Sequence, residues 1–594
     1  HIASLAVTAI TSVVAVAFAI SGADPYKVFA ASLIAVGTLG IVALQSLASL
    51  SVVVFFWRRK DRKLWQGLVA PIIGFVGLAA AFVLAATHYN TLTGSDNRWI
   101  NLVPVLLLFT VAAGIINGFR IRKYRPVVYA KLASTQLRQK KDHHYEPSGV
   151  DYSQRYCLVG AGPAGLVMAR ALIKEGVPFD WYERHSDVGG IWDMDNVGTP
   201  MYDSCHFISS KYTSGFYGYP MPQDFPDYPA WDQIRDYIKD FAEAFDLKSR
   251  VNFGIAIDDA QPIAGDQWQV KLSNGTMNTY DGIINATGVT WHQNRPKIKG
   301  EEKFAGTIMH SVEYRTPSEF TGKRVLIVGA GNSGVDIASD AAVFATQAYL
   351  SVRRGYRFIP KYIFGVPTDA LVSGKISPPR GVSISGDLTK MIDTLVGDLT
   401  RYGLPHPDHD LLASHPIMNT QVLHHLGHGD LIAKPDIEEI TADGVTFKDG
   451  SHVELDVIVL ATGYSYSVPY LEQNASEWKD GRPQLYLRIF SRTHDNLYFI
   501  GYAEFADAAY RRFDEMAQMV VMDIRARATG INRAELLELK AYDNPDLAGG
   551  HKYIDSPRHT NYIEVDTYLN YLATLRDRFD WPEVDESTYQ ELIR

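Results

Sequence analysis

The sequence predicts an α/β protein with two units of parallel strands and helices, the second inserted in the first, preceded by about four transmembrane α-helices. Residues 1–119 hold only ten charged side chains, and six of them form the run 58–63. Farther along, two glycine-rich turns begin at Gly160 and Gly329, and each directly follows a short apolar run. Long uncharged runs are typical of membrane helices, and an apolar strand followed by such a turn opens a strand-turn-helix unit.

Four uncharged or nearly uncharged runs are each long enough to cross about 30 Å of hydrocarbon as a helix. They cover about residues 2–20, 28–57, 64–88 and 99–119. Four such runs in tandem are rare in a soluble core, and a cleavable signal peptide would supply only one. The basic residues at 58–63 and 120–141 belong on the cytoplasmic side, which places the body of the chain there too. The sequence therefore predicts a multi-pass membrane protein with a cytoplasmic body, in which residues 1–120 span the bilayer and 121–152 form a basic linker.

The charge distribution divides the chain sharply. Through Lys141 it carries 15 basic and 3 acidic side chains, whereas the remaining residues carry 42 basic and 63 acidic ones. An acidic body repels phosphate backbones, which argues against nucleic acid as a partner. The two cysteines, Cys157 and Cys205, cannot form a disulfide framework, a CxxC redox pair or a four-cysteine zinc site. We therefore expect the body to be a reduced, intracellular domain.

The first 120 residues resemble the C-terminal helices of amino-acid permeases. The resemblance rests on Asp24-Pro25, on the stretch 36–40 and on the basic loop followed by Leu64-Trp65. Transporters place substrate between internal repeats, and four helices are too few for that architecture. The segment is interpreted as an anchor or a permease remnant, and a transporter with a nucleotide-sensing domain is the alternative of another class.

The first glycine turn has the full context of a dinucleotide-binding (Rossmann-like) site. An apolar strand at 155–159 leads into a turn with Gly160, Gly162 and Gly165, a helix follows, and the next apolar run ends in Glu183. The glycines allow a tight turn and close approach of the backbone to a pyrophosphate, which sits on the helix N-terminus. Glu183 is placed to accept hydrogen bonds from a ribose.

The second turn repeats this pattern with one difference. After the strand at 323–328 come three glycines and a polar pair, and the next apolar run ends in two arginines; the residues are Gly329, Gly331, Asn332, Ser333, Gly334, Arg353 and Arg354. An acid at that strand end would repel a 2′-phosphate, whereas arginines can pair with it. The second site is therefore expected to prefer NADP over NAD, and a solvated surface pair is the alternative for the arginines.

Two dinucleotide sites in one body indicate electron transfer from a nicotinamide to a second, tightly held cofactor, which we take to be FAD at the first site. Two apolar strands that end in Ala-Thr-Gly, at 283–288 and 457–463, suit crossovers between the two domains. The predicted FAD domain is built from two separate segments, 153–305 and 431–540. The predicted NADP domain, with a lid-like insert, lies between them at 306–430, and a C-terminal extension covers 541–594.

A motif just before the second turn resembles the fingerprint of the flavin-containing monooxygenases, which are class B flavoprotein monooxygenases. It reads Phe304-x-Gly306-x-x-x-His310-x-x-x-Tyr314-Arg315, with tyrosine where the Baeyer-Villiger monooxygenases characteristically have tryptophan. Further matches are Gly189-Gly190-x-Trp192, Phe225-Pro226-x-Tyr228-Pro229, Asn332-Ser333, Ala461-Thr462-Gly463-Tyr464 and Phe499-Ile500-Gly501. In this resemblance, His310 and Tyr314 are linker positions that couple the two domains.

The resemblance implies that NADPH reduces FAD, that O₂ adds to give a C4a-(hydro)peroxyflavin, and that a soft nitrogen or sulfur centre of a small molecule takes one oxygen atom. It implies FAD contacts from Gly160, Gly162, Gly165, Glu183, Gly190, Trp192 and Gly501, and NADP contacts from the residues of the second turn and its arginines. The alternatives are Baeyer-Villiger oxidation of a ketone and an uncoupled NADPH oxidase. No metal site is predicted, and the histidine-rich stretch at 406–428 is interpreted as pocket or surface histidines.

One position departs from the family pattern. Ile208 stands where the resemblance expects an asparagine near the flavin, three residues before Lys211. Isoleucine cannot donate a hydrogen bond, so we expect Ser209 or Ser210 to substitute, or coupling to be reduced with leakage of hydrogen peroxide. The candidate catalytic residues are accordingly Ser209, Ser210, Lys211 and Asn332.

Overall fold

The computed structural model describes residues 31–57, 65, 69–93, 105, 114, 149–379, 388–471, 478–479, 481–556, 559, 562–590 and 593. The chain divides into two compact units, His1–His143 and His144–Arg594. Each unit is described by itself.

The first unit has three helices among its described residues: α1 (Ala31–Trp57), α2 (Ala70–Thr87) and α3 (Tyr89–Thr93). Ala35 and Leu39 of α1 pack against Tyr89 and against the last turns of α2. Of the described helices, only α2 is both long and apolar enough to cross a membrane, with a mean hydropathy of 2.1 and no buried residue; α1 supplies the shorter apolar stretch Gly37–Ser51.

The expectation of four spans is therefore not supported, since the described part of the chain offers one weak candidate. Two of the four runs, at 2–20 and 99–119, lie outside the described residues apart from positions 105 and 114. The other two correspond to α1 and α2. Among the described helices, α2 combines sufficient length with apolar composition over Ala70–Thr87, whereas the apolar stretch of α1 is the shorter Gly37–Ser51.

The second unit alternates strands and helices along the chain. Its strands are β1 (Tyr156–Val159), β2 (Phe179–Glu183), β3 (Val251–Phe253), β4 (Ile257–Ile263), β5 (Gln267–Leu272), β6 (Met277–Tyr280), β7 (Gly282–Asn285), β8 (His292–Gln293), β9 (Thr307–His310), β10 (Arg324–Val328), β11 (Gln347–Ser351), β12 (Tyr362–Ile363), β13 (Val366–Pro367), β14 (Leu431–Lys434), β15 (Ile437–Ile440), β16 (Gly444–Phe447), β17 (His452–Glu454), β18 (Val457–Leu460), β19 (Tyr464–Ser465), β20 (Trp478–Lys479), β21 (Arg482–Pro483), β22 (Leu485–Tyr486), β23 (Phe490–Ser491), β24 (Leu497–Phe499), β25 (Glu504–Phe505) and β26 (Tyr562–Ile563). Its α-helices are α4 (Pro163–Glu175), α5 (Trp231–Ala244), α6 (Asn332–Phe344), α7 (Thr368–Val372), α8 (Leu388–Val396), α9 (Gln421–His428), α10 (Ala509–Thr529), α11 (Arg533–Tyr542), α12 (Val565–Phe579) and α13 (Glu586–Gln590).

The first sheet has seven strands in the order β22-β23-β24-β7-β1-β2-β3, and β1 pairs in parallel with both β2 and β7. All four residues of β1 are buried, as expected for a central parallel strand that is covered on both faces. Leu158 faces the core built with α4 and α10, whereas Cys157 and Val159 face the β4-β5-β6 meander. This alternation follows from the two-residue period of a strand.

The second sheet has five parallel strands in the order β14-β11-β10-β18-β9. Helix α6 covers one face, where Val325 and Ile327 of β10 meet Val335 and Ala338. The β15-β16-β17 meander covers the other face through Leu326.

The expected return of the chain to the FAD domain at residue 431 is too early. Strands β14 and β18 both pair within the second sheet, which therefore extends to Leu460. All strands of the second sheet lie between the two Ala-Thr-Gly segments, and the chain returns to the first sheet with β22. The boundary was misplaced because parallel partners are joined through long crossovers, so pairing cannot be read from neighbouring residues.

A buried ion pair joins the glycine-turn helix α4 to α10. Arg170 Nη2 lies 2.7 Å from Asp514 Oδ1, and the two side chains are 1% and 0% exposed. The other oxygen, Oδ2, accepts the Tyr217 N–H at 3.2 Å. The guanidinium also lies over the Tyr589 ring at 3.8 Å. The contact therefore links the first nucleotide domain to the C-terminal segment.

We expect Asp514→Ala to destabilise the protein by about 3–5 kcal/mol, because it leaves the Arg170 charge buried without its partner. The shift in the midpoint of urea unfolding of the full chain measures this. Glu439→Ala serves as the control, since Glu439 forms an exposed pair with Lys299 and its loss should change the midpoint little. Equal midpoints for Asp514→Ala and the unmodified protein would contradict the role of the pair.

Candidate active site

One cavity of about 770 Å³ lies at the carboxyl ends of the parallel strands of both sheets. Both glycine turns line it, and so do the segments that follow β1, β2, β7, β10 and β18. Open α/β sheets bind ligands outside the carboxyl ends of their strands, and the volume is typical of a cofactor or substrate site. The two nucleotide-binding motifs therefore open into a single space.

The first glycine turn has no room for side chains at Gly160 and Gly165. Gly160 has a φ of 101°, and a Cβ on Gly165 would lie 1.9 Å from the Gly160 carbonyl oxygen. Helix α4 begins after Gly162, and no side chain caps its N-terminus. Helix N-terminal N–H groups without a side-chain cap form an anion site, which fits the pyrophosphate of FAD.

Glu183 ends β2 and lines the cavity while being 6% exposed. Its Oε2 accepts the Ala161 N–H at 2.6 Å, and its Oε1 accepts the His185 N–H at 2.9 Å. Burial acts to raise the pKa of Glu183, but the hydrogen bonds from His185 and Ala161 outweigh it and hold the pKa below its ordinary value. Each carboxylate oxygen can accept more than one hydrogen bond, so Glu183 fits a ribose while also holding the turn.

Gly190, Trp192 and Gly501 also line the cavity, and the two glycines lie beside Gly162 and Ala164 at the first turn. A Cβ on Gly190 would lie 2.9 Å from the Gly162 Cα, so this glycine allows the turn to approach closely. The Trp192 ring packs on Phe207 with a centroid distance of 5.1 Å. Gly501 follows β24 with a φ of 86°. The expected FAD contacts therefore surround one region.

The second turn repeats the geometry of the first. A Cβ on Gly334 would lie 2.0 Å from the Gly329 carbonyl oxygen, and α6 begins after Gly331 without a side-chain cap. Ser333 and Asn332 line the cavity. The Asn332 amide, however, donates to the Pro416 carbonyl at 3.0 Å and accepts from the Met418 N–H at 2.9 Å. Asn332 thus holds the segment 416–418 in place.

Arg353 and Arg354 follow β11 and are not among the described residues that line the cavity. Arg353 is exposed. The Arg354 guanidinium lies 5.4 Å from the Tyr356 ring centre, and its Nε is buried without a hydrogen-bond partner among the described residues. An unsatisfied cationic donor at this strand end fits an anionic group such as a 2′-phosphate.

The segment 208–211 is only partly placed at the cavity. Ile208 and Ser209 line it, whereas Ser210 and Lys211 are not among the described lining residues. The Ser210 N–H and hydroxyl both donate to Asp369, at 2.7 and 2.9 Å. The Lys211 ammonium donates to the Gln223 carbonyl at 2.6 Å. The structure thus gives Ser210 and Lys211 contacts that hold the loop, and it brings Ser209 to the site.

The fingerprint residues lie at the joint between the domains. The Tyr314 hydroxyl and the Ser204 hydroxyl both donate to Asp340 of α6, at 2.9 and 2.5 Å. His310 is fully buried with its Nε2 3.1 Å from the Gly463 carbonyl oxygen, and burial lowers the pKa of its imidazole. These contacts tie the crossover segments to the helix of the second turn.

Sequence reasoning did not find the cavity residue Asp336, and it named His415 only within a group of pocket or surface histidines. Asp336 accepts from the Asn419 amide at 2.6 Å and from the Tyr202 hydroxyl at 3.1 Å, and burial raises its pKa. Its position four residues after Asn332 in a predicted helix placed both on one face, which was the available signal. His415 was only one member of a histidine-rich stretch.

Comparison with known proteins agrees with this geometry. Residues 153–533 match the sequence family described as flavin-binding monooxygenase-like. The flavin-containing monooxygenase 5 of Homo sapiens is 30% identical over 448 residues, which cover 71% of this chain and 82% of that protein. The dimethylaniline monooxygenase [N-oxide-forming] 2 of Rattus norvegicus is 30% identical over 358 residues, covering 57% and 66%.

Solved structures share the fold. A flavin-containing monooxygenase from Stenotrophomonas maltophilia aligns with a TM-score of 0.51 at 21% identity, covering 64% of this chain and all of that one. A cyclohexanone monooxygenase aligns with a TM-score of 0.55 at 18% identity, covering 72% and 98%. Because the match extends over most of the second unit and includes both turns and the fingerprint, this chain belongs to the flavin-binding monooxygenase-like family and is an FAD-dependent enzyme that uses NADPH.

Proposed function

We propose that this protein transfers one oxygen atom from O₂ to a soft nitrogen or sulfur centre of a small molecule, with NADPH as the electron donor. The observation that carries the proposal is the single cavity into which both uncapped helix N-termini open. A nicotinamide bound at the second turn and a flavin bound at the first can therefore meet within one space.

FAD supplies the redox chemistry and the reaction with O₂. The chain would position and shield it: α4 and the first turn would hold the pyrophosphate, Glu183 would hold the ribose, and α6 with the second turn would hold the phosphates of NADPH. Trp192, Phe207 and Tyr510 add aromatic walls to the cavity. Such walls exclude water from the reacting centre, which protects reactive species from hydrolysis.

The substrate class can be tested with the holoenzyme and a panel of one tertiary amine, one thioether and one cyclic ketone. We expect an N-oxide or a sulfoxide, formed with NADPH consumption. Formation of ester from the ketone alone would replace this proposal with Baeyer-Villiger oxidation. Formation of hydrogen peroxide alone would identify an NADPH oxidase, which the apolar side chain of Ile208 at the cavity specifically favours.

The two arginines after β11 are proposed to select NADPH over NADH. We expect the double variant Arg353→Ala/Arg354→Ala to lower kcat/KM for NADPH by about 10- to 100-fold, because hydrogen bonds to charged groups contribute about 1.5–3 kcal/mol. The value for NADH should change little. Lys323→Ala is the control, since it removes an exposed charge at the opposite end of the sheet. Unchanged selectivity in the double variant would favour a solvated surface pair.

We further propose that the first unit attaches the enzyme to a membrane with the catalytic unit on the cytoplasmic side. Apolar side chains such as Leu44 on α1 and Val83 and Leu84 on α2 are more than half exposed, at 69%, 58% and 64%. Exposed apolar faces of this kind are typical of lipid contact. Resistance of the full chain to extraction by alkaline carbonate would support attachment, and release into the supernatant would contradict it.

A further inference from the structure

His415 occupies a position in the cavity that three segments of the chain determine together. It lies in the insert between β11 and β14, is half-buried and lines the cavity. Immediately after it, Asn332 of α6 clamps the Pro416 carbonyl and the Met418 N–H. The Asn419 amide donates to Asp336, also on α6. The helix of the second glycine turn therefore fixes this segment from one side.

The C-terminal segment fixes His415 from the other side. The His415 N–H donates to His559 Nε2 at 2.8 Å, so that nitrogen carries no proton. The proton of His559 is therefore on Nδ1, which lies 2.7 Å from the Ser556 hydroxyl. The Tyr562 hydroxyl lies 2.7 Å from His415 Nδ1. The backbone orientation and the imidazole of His415 are thus both set by residues about 145 positions away.

Tyr562 is itself attached to the wall of the cavity. It belongs to β26, which pairs in parallel with β25 so that Tyr562 lies beside Glu504 and Ile563 beside Phe505. Glu504 and Phe505 both line the cavity. The C-terminal segment therefore connects the FAD domain, through β25, to the insert of the NADP domain, through His415.

The topology separates His415 from the ribose end of the FAD site. Glu183 ends β2 on one side of β1, whereas β25 follows β24, which lies beyond β7 on the other side. His415 is near the β25 side, and Met418 packs in the same cluster as Ile208. Ile208 packs on this cluster and also lines the cavity. His415, Ser209 and Asp336 are polar lining residues tied to these segments.

We propose that His415 borders the nitrogen or sulfur centre of the bound substrate and donates a hydrogen bond to the oxygen atom that this centre receives, and that Tyr562 and His559 are its positioning residues. The inference rests on the proposed function. An imidazole N–H is a suitable donor to the oxygen of an N-oxide or a sulfoxide, and both are strong acceptors.

The test uses full-length holoenzyme with four single variants: His415→Leu, His415→Gln, Tyr562→Phe and, as control, His428→Leu. The side chain of His428 is 72% exposed in the same stretch. Binding of methyl p-tolyl sulfoxide to the oxidised enzyme, followed by the visible flavin spectrum, needs no turnover. We expect His415→Leu to weaken the affinity for the sulfoxide about tenfold, which corresponds to about 1.4 kcal/mol of binding free energy. His415→Gln should recover some of this affinity. His428→Leu should bind as the unmodified protein does.

Turnover of methyl p-tolyl sulfide supplies the second readout. His415→Leu should lower the yield of sulfoxide per NADPH by about fivefold or more and raise KM, while the FAD content stays unchanged. Tyr562→Phe should have a smaller effect, and no further effect when combined with His415→Leu, because the two act through one contact. An additive effect in that double variant would show that Tyr562 acts independently of His415.

The outcomes separate this inference from the proposed function. If the unmodified protein oxygenates the sulfide but His415→Leu matches it in sulfoxide affinity, yield and KM, the inference is overturned and the function stands. If the unmodified protein forms no sulfoxide or N-oxide, the function fails. In that case the sulfoxide affinities still decide whether His415 contacts this class of ligand.

Discussion

Replacing Gly334 with alanine is expected to lower NADPH-driven reduction of the flavin by at least about 100-fold while FAD stays bound. The added Cβ would lie 2.0 Å from the Gly329 carbonyl oxygen and 3.2 Å from the Ala461 Cβ. Neither the turn nor β18 can yield without disturbing the central strands of the second sheet. Helix α6 must therefore move, and its N-terminus no longer points at the phosphates of NADPH.

Anaerobic mixing with NADPH, followed by the loss of flavin absorbance, measures this effect. Ala338→Gly is the matched control, because it removes a buried Cβ from the same helix instead of adding one. It should cost about 1 kcal/mol of helix stability and leave the reduction rate nearly unchanged. If NADPH reduced the flavin of Gly334→Ala as fast as that of the unmodified protein, α6 would not be the helix that holds NADPH.

Gly165→Ala is expected to yield a protein that is folded in its second sheet but almost free of FAD. The Cβ would lie 1.9 Å from the Gly160 carbonyl oxygen, which is the tightest contact in the first turn. Helix α4 would have to separate from β1, and the turn that approaches the pyrophosphate would change shape. Because FAD binds only the native turn, the loss of the turn also removes the stability that bound FAD supplies.

The ratio of flavin absorbance to protein absorbance after purification reports this loss, and we expect it to fall below about one tenth of the unmodified value. Ala169→Gly, a buried position on the same helix, is the control and should retain FAD. A full complement of FAD in Gly165→Ala would contradict the assignment of the first turn to the flavin.

Local patterns were sufficient to predict the regions of the site that short segments build. A glycine turn needs only a few consecutive residues, so Gly160, Gly165 and Gly334 could be identified from spacing alone. Glu183 could be placed because the strand after the helix must end beside the turn. The sequence did not show that Glu183 also accepts the Ala161 N–H, because that contact depends on the folded turn.

Nonlocal contacts could not be predicted in the same way. Strand β18 pairs with β10 across more than a hundred residues. Its apolar sequence is equally compatible with a place in the first sheet or in the second, so the sequence alone does not assign it. Ser210 has the residue type of a catalytic hydroxyl, but its partner is Asp369, 159 residues away. His415 meets His559 and Tyr562 only because the C-terminal segment pairs with β25. Apolar runs likewise predicted four spans, whereas among the described helices only α2 is both long and apolar enough.

The proposed function requires that the cavity between the two turns deliver one atom of O₂ to the substrate. Turnover of methyl p-tolyl sulfide by the purified full chain with NADPH under ¹⁸O₂, with mass spectrometry of the product, measures this step itself. We expect a sulfoxide that carries a single ¹⁸O atom, formed at the expense of NADPH and only by protein that contains FAD. A product whose oxygen comes from water, or NADPH oxidation that yields hydrogen peroxide and no oxygenated amine or sulfide, would contradict it.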